Sequence, residues 1–516
     1  MTVVRSYGYT EQVTKHIQTM RNITLSILTL LISLDIMASG TDFAALRERL
    51  DGNSLPLVNI TVDMDRVSKA EYTEGRIEIV EPQDNGGEPQ DNAYLCKVKY
   101  RGSSSLAYEK KSLAIKLYDE NWENLDVNIM GIRETNKWIL DAMAIDRIRM
   151  RNRVLFDIWN EYSRAPYETD YEGRNGTEGR FVEVFVNGDY HGLYCLTDKI
   201  ERKLLGLKKP KEQDDGSVRI RGVLYKCNAW SDASFLAGYD DEPMDGVEWN
   251  KWELQEPEDY PSAAAWTPLR DLIDFCNSST KADFAANYKE HFYKDNLIDY
   301  ALLILAFNIS DNMLKNTFLS TVNIEDGQTF LITPWDLDAS LGGRYNGGHA
   351  TVLPSLSLVF NWARPFYRLY QEDADNFMPD MRDRWLLLSG GVMSRESVNA
   401  RIDDYARRFT LSGAWQREYE RWNGNPVPLT ENLQDETAYV KDYYSRNLDN
   451  ITSLLNKATS IEAGKATATD GISIYDAGGR LLYRGSAKSP SLYGPAGNSP
   501  YKPAGKATDR RAAVRF

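Results

Sequence analysis

Two short acidic clusters between residues 311 and 338 hold the side chains best suited to chemistry. Asp311-Asn312-Met313-Leu314-Lys315-Asn316 sets a carboxylate and an amide five positions apart; Trp335-Asp336-Leu337-Asp338 brings another carboxylate 25 positions after Asp311. Carboxylate and amide oxygens are hard ligands of the kind Mg²⁺ takes. Phosphoryl transfer needs such a set, one carboxylate beside the attacking hydroxyl and others on the metal that neutralises phosphate charge. Asp336 and Asp338, if extended, project to the same side and hold one cation together. Taken alone, D-x-D fits a turn, a calcium loop or a glycosyltransferase metal site equally well. Asp311 with Asn316 alone fits an ordinary helix-ending loop.

The basic counterpart lies upstream, in Arg101, Lys110, Lys111 and Lys116. Residues 55–63, 75–81, 93–100 and 112–118 alternate apolar and polar as half-buried antiparallel strands do. A helix is expected over Arg147–Tyr162, with Met150, Val154, Ile158 and Tyr162 on one face. A hairpin follows over 181–199, turning at Asn187-Gly188-Asp189. From about 266 the pattern is helical: Trp266–Asn277, then Asn296–Phe307 running directly into the Asp311 loop. Strands at 317–323 and 329–333 deliver the chain to Asp336. Two later stripes are helical, Val398, Ile402, Tyr405 and Phe409, then Tyr444, Leu448, Ile451 and Leu455. The acidic stretch 238–260 reads as loop, and the aromatics of 360–370 read as helix packing.

With 516 residues and 42% hydrophobic content the chain can build a large core. Its net charge of −14 disfavours broad attraction to nucleic acid or anionic lipid. Four scattered cysteines, without C-x-x-C, argue against a Cys/His zinc site and for small buried thiols. At the N-terminus Arg21, the apolar run Ile23–Ser33 and then Ala38-Ser39-Gly40 have the order of a secretory signal peptide, too short to span a membrane. Export is therefore expected, to the cell envelope or beyond it, with Met20 an alternative start and no transmembrane segment after signal removal. Beyond about 460 the composition shifts to a low-complexity tail. Within it GISIYDAGGRLLYRG (471–485) is a hairpin-like island resembling the IYD-x-x-GR element of C-terminal sorting tails.

Asp311, Asn316 and Asp336 together resemble the D-x-x-x-x-N catalytic loop and later metal-binding Asp of protein kinases. Leu113-Ala114-Ile115-Lys116 is similar to the kinase V-A-I-K strand, whose lysine holds ATP phosphates. Leu196 to Lys199 stands where a kinase hinge would offer backbone groups to adenine. More specifically, RGSSSLAYEKKSLAIKLYD (101–119), KWILDAMAIDRIRMRNRVLFDIW (137–159), RFVEVFVNGDYHGLYCLTDKIER (180–202), DNMLKNTF (311–318) and TPWDLD (333–338) resemble the CotH kinase family, in the family's order. The usual R-G-N-S-x-W is Arg101-Gly102-Ser103-Ser104-Ser105-Leu106 here, and the usual T-E-K-I is Thr197-Asp198-Lys199-Ile200.

The resemblance implies an α+β, kinase-like two-lobed fold, with an antiparallel sheet lobe first and a mainly helical lobe second. Residues 1–40 would be the signal peptide, 41–203 the sheet-rich lobe, 204–458 the helical lobe and 459–516 the tail. It also implies an ATP- and Mg²⁺-dependent protein kinase with Ser/Thr acceptors. Asp311 would be catalytic, Arg101 and Lys116 would hold the phosphates, and Asn316, Asp336 and Asp338 would ligate the metal. A non-catalytic surface or adhesion protein of the same fold is the competing reading. A D-x-D glycosyltransferase predicts parallel strand–helix units at the start, which this chain lacks.

Overall fold

The computed structural model describes residues 42–83, 89–463, 471–475 and 481–486. The proposed signal peptide and most of the tail lie outside them. Of the tail's island, Gly471–Tyr475 and Leu481–Ser486 pair antiparallel.

Alternating residues build the first unit. Strands β1 (Leu57–Val62), β2 (Thr73–Glu81), β3 (Gln90–Arg101), β4 (Ser112–Tyr118), β5 (Lys137–Asp141), β6 (Gly179–Val186) and β7 (Asp189–Asp198) form a closed barrel, in the order β1-β2-β3-β4-β5-β7-β6. The expected antiparallel sheet is therefore closed. One parallel pairing, β1 with β6, seals it. Closure removes the edge strands that an open sheet would leave unpaired. Inward positions such as Val98, Leu113, Ile115, Leu117, Trp138, Leu140 and Leu196 fill the interior. The β6–β7 turn has Asn187 and Gly188 at φ 53° and 90°, the left-handed pair that a two-residue hairpin demands.

Helix α1 (Arg151–Tyr162) begins where the Asp146 carboxylate accepts hydrogen bonds from the Ile148, Met150 and Arg151 amides. Those are donors a helix start leaves without partners. The helix is thus shorter than the pattern from Arg147 suggests, because 147–150 form the turn that Asp146 ties.

The second unit is mixed. Strands β8 (Val223–Cys227), β9 (Glu248–Trp249), β10 (Trp252–Glu256), β11 (Thr317–Thr321) and β12 (Leu331–Pro334) form a sheet ordered β9-β10-β8-β11-β12. The stretch 238–260 is thus not all loop: Trp249, Trp252 and Leu254 are buried strand residues. Its acidic residues obscured a short apolar alternation.

Helices α2 (Ala263–Ser278), α3 (Lys281–His291), α4 (Lys294–Phe307), α5 (Arg364–Gln371), α6 (Phe377–Ser389), α7 (Arg395–Leu411), α8 (Ala414–Trp422) and α9 (Leu433–Ala463) complete the unit. Every residue of α4 from Asn296 to Phe307 is buried, as an all-round apolar helix must be. Phe307, Ile309 and Leu341 join α1 and the later helices in one core. All four cysteines are free and buried. Among the described residues no helix is long and apolar enough to cross a membrane.

Candidate active site

Local chain chemistry places the two acidic clusters side by side. Helix α4 stops at Asn308, which takes a left-handed conformation (φ 50°), while the Ile309 amide bonds back to the Ile304 carbonyl. This is a C-terminal cap. Next comes the Asp311–Asn316 loop, in which Leu314 and Asn316 also have positive φ. The buried Asn312 amide donates to the carbonyls of Trp335 and Asn316, and the Trp335 amide donates to the Asn316 carbonyl at 3.0 Å. Asn296 of α4 fixes β12 by exchanging two bonds with Ile332, at 2.7 and 3.0 Å. Helix, loop and strand thereby form one scaffold.

Within it Asp311 accepts from Lys315 Nζ on both oxygens at 2.8 Å and from Asn316 Nδ2 at 3.1 Å. The Asn316 amide nitrogen is thereby engaged, which leaves its oxygen as the atom suited to a cation. Asp336 has φ 58°. It is not extended, so the same-side argument for Asp336 and Asp338 does not apply. A left-handed backbone at a non-glycine residue is uncommon and is tolerated best by Asp and Asn. Both Asp336 and Asn316 use it.

Sequence reasoning missed Asp141, which the structure joins to Asn152 of α1. Asp141, at the end of β5, accepts from Asn152 Nδ2 at 2.8 Å, and Asn152 Oδ1 accepts the Leu337 amide at 3.1 Å. A side chain of α1 therefore joins the barrel to the peptide between Asp336 and Asp338. Five carboxylates converge as a result. Burial pushes the Asp338 carboxyl well above the ordinary range, reinforced by Asp336, Asp141, Asp146 and Asp311. Burial also raises Asp336, with Asp141 adding to the effect and Lys226 opposing it. Asp336 is itself exposed, so its carboxylate can be reached from solvent.

Cations stand opposite. Arg101, at the end of β3, lies 5.0 Å from the Trp335 ring centre, and burial lowers its pKa while Asp141 and Asp336 raise it. Lys226 of β8 is a second residue that the sequence did not reveal. Burial lowers its pKa, Arg101 adds to that, and Glu253 and Asp336 oppose it. Its signal was the apolar run 223–227 with one lysine in it, which reads as an ordinary strand.

Lys116 lies elsewhere on the barrel. Cross-strand register puts Lys97, Lys116 and Lys137 in one row and Arg101 with Ser112 in another, four residues or about 13 Å along β4. Lys116 lies 4.8 Å from the Tyr72 ring centre, and burial, then Lys137, lowers its pKa. Strand alternation puts it on one face with Ala114, but it is not brought to the Asp336 cluster. Lys110 is withdrawn altogether: fully buried, its ammonium bonds Leu193 O at 2.7 Å and Glu418 Oε1 at 2.5 Å. Glu418, from α8, was too distant in sequence to foresee. Lys111 is spent on the Tyr108 carbonyl at 2.6 Å. The hinge expectation also changes, because β7 is paired on both edges and the sheet uses the backbone groups of Leu196 and Thr197.

Asp336, Asp338 and the Asn316 oxygen suit a hard divalent cation, which would offset the burial and the repulsion that raise both aspartates. Among the described residues no group of three or more His, Cys, Asp or Glu is placed to hold a metal ion alone. A cation here would therefore draw on amide, phosphate or water oxygens as well, the usual habit of Mg²⁺. A cavity of about 880 Å³ between α1, α4 and α6, lined by Tyr162, Asp299 and Arg384, includes none of these residues.

No curated protein matches the chain. A family model described as CotH kinase protein matches residues 98–451, which runs from β3 to the middle of α9 and contains every residue of this site. By this match, over more than half its length, the chain belongs to the CotH kinase family, which points to a kinase-like phosphotransferase.

Proposed function

We propose that the protein is an Mg²⁺- and ATP-dependent protein kinase acting on Ser or Thr outside the cytoplasm, with the barrel and the helical unit serving as its two lobes. One observation carries this reading. Arg101 and Lys226 face Asp336 closely enough for each to act on its charge, yet among the described residues none of the three forms an ion pair within 4.0 Å. Opposite charges this close pair directly unless something belongs between them. A phosphate chain with its cation has both required signs.

Arg101 and Lys226 would hold phosphate oxygens, and the small Ala114 would leave room for the base on the barrel's outer face. Asn316, Asp336 and Asp338 would hold Mg²⁺, which when bound neutralises phosphate charge. Asp311 would orient the acceptor hydroxyl and take its proton, with Lys315 fixing the carboxylate. Lys116 lies too far along β4 for the same phosphates and would meet the distal part of the nucleotide.

Titration of ATP with Mg²⁺ or with EDTA, beside phosphate transfer to proteins, tests this. Asp336→Asn is expected to lose Mg²⁺-dependent nucleotide binding. Asp311→Asn is expected to keep binding and to lose transfer by roughly 10²–10³-fold. Wild type that binds no nucleotide, or equal transfer with both aspartates replaced, would leave the non-catalytic surface protein as the better reading.

A further inference from the structure

Beside the catalytic loop three aromatic rings form a row. The Lys315 ammonium, ion-paired to Asp311, lies 5.4 Å from the ring centre of Trp230. Trp230 stacks on Phe235 at 5.2 Å, and Phe235 stacks on Trp362 at 6.0 Å. Trp230 is 42% and Trp362 59% exposed. Single exposed apolar residues need no explanation, but a contiguous row does.

The row is held rigidly. Ala233, Ser234 and Leu236 are buried beneath it. Ser231 and Ser234 bond each other's backbone amides, Trp252 donates to the Ala233 carbonyl at 3.1 Å, and the Arg364 amide donates to the Phe235 carbonyl at 2.7 Å. Rigid aromatics lose little entropy when something covers them.

We propose that this row docks the acceptor polypeptide as an extended segment, with large apolar side chains at alternate positions lying against successive rings while its Ser or Thr reaches Asp311. The proposal rests on the phosphotransferase reading and supplies its substrate class. Spacing favours a peptide: alternate side chains of an extended chain recur about every 6.6 Å, near the ring-to-ring steps of 5.2 and 6.0 Å. Sugar recognition needs open ring faces. Here Lys315 and Phe235 cover Trp230, and its two neighbours cover Phe235. From Lys315 through Trp230 and Phe235 to Trp362 the steps of 5.4, 5.2 and 6.0 Å limit the reach to about five extended residues.

The test uses labelled peptides with one Ser, carrying Leu or Phe at alternate positions, at the intervening positions, or nowhere. Binding is read by fluorescence anisotropy, and KM and kcat by phosphate transfer. Alternate-position peptides are expected to bind best, and Trp362→Ala to weaken them roughly tenfold, mainly through KM, with Trp362→Phe retaining most of the binding. Thermal melts confirm that the exposed substitution leaves the fold intact. Equal binding of all peptides, insensitivity to Trp362→Ala, or Trp362-dependent binding of an oligosaccharide instead would overturn it. Binding needs no nucleotide, so register-dependent binding without transfer would sink the kinase reading and leave the docking row standing.

Discussion

Asn152→Ala tests whether the barrel positions the Asp336 loop. Asn152 donates to the Asp141 carboxylate at 2.8 Å and accepts the Leu337 amide at 3.1 Å, and the Leu337 side chain is fully buried. A hydrogen bond to a charged group contributes about 1.5–3 kcal/mol and a neutral one about 0.5–1.5, so the bridge is worth about 2–4.5 kcal/mol. If all of it serves to position the loop in the transition state, the rate falls by about 30- to 2 × 10³-fold. The assay is Mg²⁺-dependent phosphate transfer per folded molecule, with urea unfolding measured alongside. A raised Mg²⁺ requirement and a rate loss within that range are expected. Asn152→Asp keeps the acceptor for Leu337 but sets a second carboxylate against Asp141, so comparison with Ala separates the two bonds. A variant that loses stability yet keeps the wild-type rate and Mg²⁺ requirement would refute the positioning argument.

Asp336 and Asp338 have raised pKa values, and cation binding requires them ionised, so Mg²⁺ affinity should fall with pH above the usual carboxylate range. Without the ion the native state holds protons that the unfolded chain has released, so stability should decline as pH rises through that window and Mg²⁺ should restore it. Calorimetric titration across pH checks both, and Asp336→Asn should move the Asp338 midpoint down. Lys226→Ala should weaken ATP binding far more than Lys116→Ala, as measured by nucleotide titration; the reverse order would return the phosphates to the Lys116 row. Glu418→Ala should cost about 3–5 kcal/mol in urea unfolding, because it strands buried Lys110 and Arg149, which Glu418 meets at 2.5 and 2.7 Å. A loss below about 1 kcal/mol would show that those cations find other partners.

The sequence determined a great deal alone. Strand alternation found β1 to β4, β6 and β7 to within a few residues, though not the short β5, and Asn187-Gly188 marked the hairpin turn, because these are local properties of neighbouring side chains. The apolar run of α4 and the acidic loop after it were equally legible, and so was the family. What tertiary structure decided was pairing and company. Nothing in β1 says that it meets β6 to close a barrel. Lys110 and Lys116 read alike as basic strand-side residues, but Glu418, 308 positions on, buries one of them while cross-strand register sets the other about 13 Å from Arg101. Asp141 and Lys226 are unremarkable in their own strands and acquire roles only because folding brings them to Asp336. Backbone and patterning energies act between near neighbours and are written in the local sequence. Electrostatic and hydrogen-bonding partners act through space, so they are set when distant segments pack against one another.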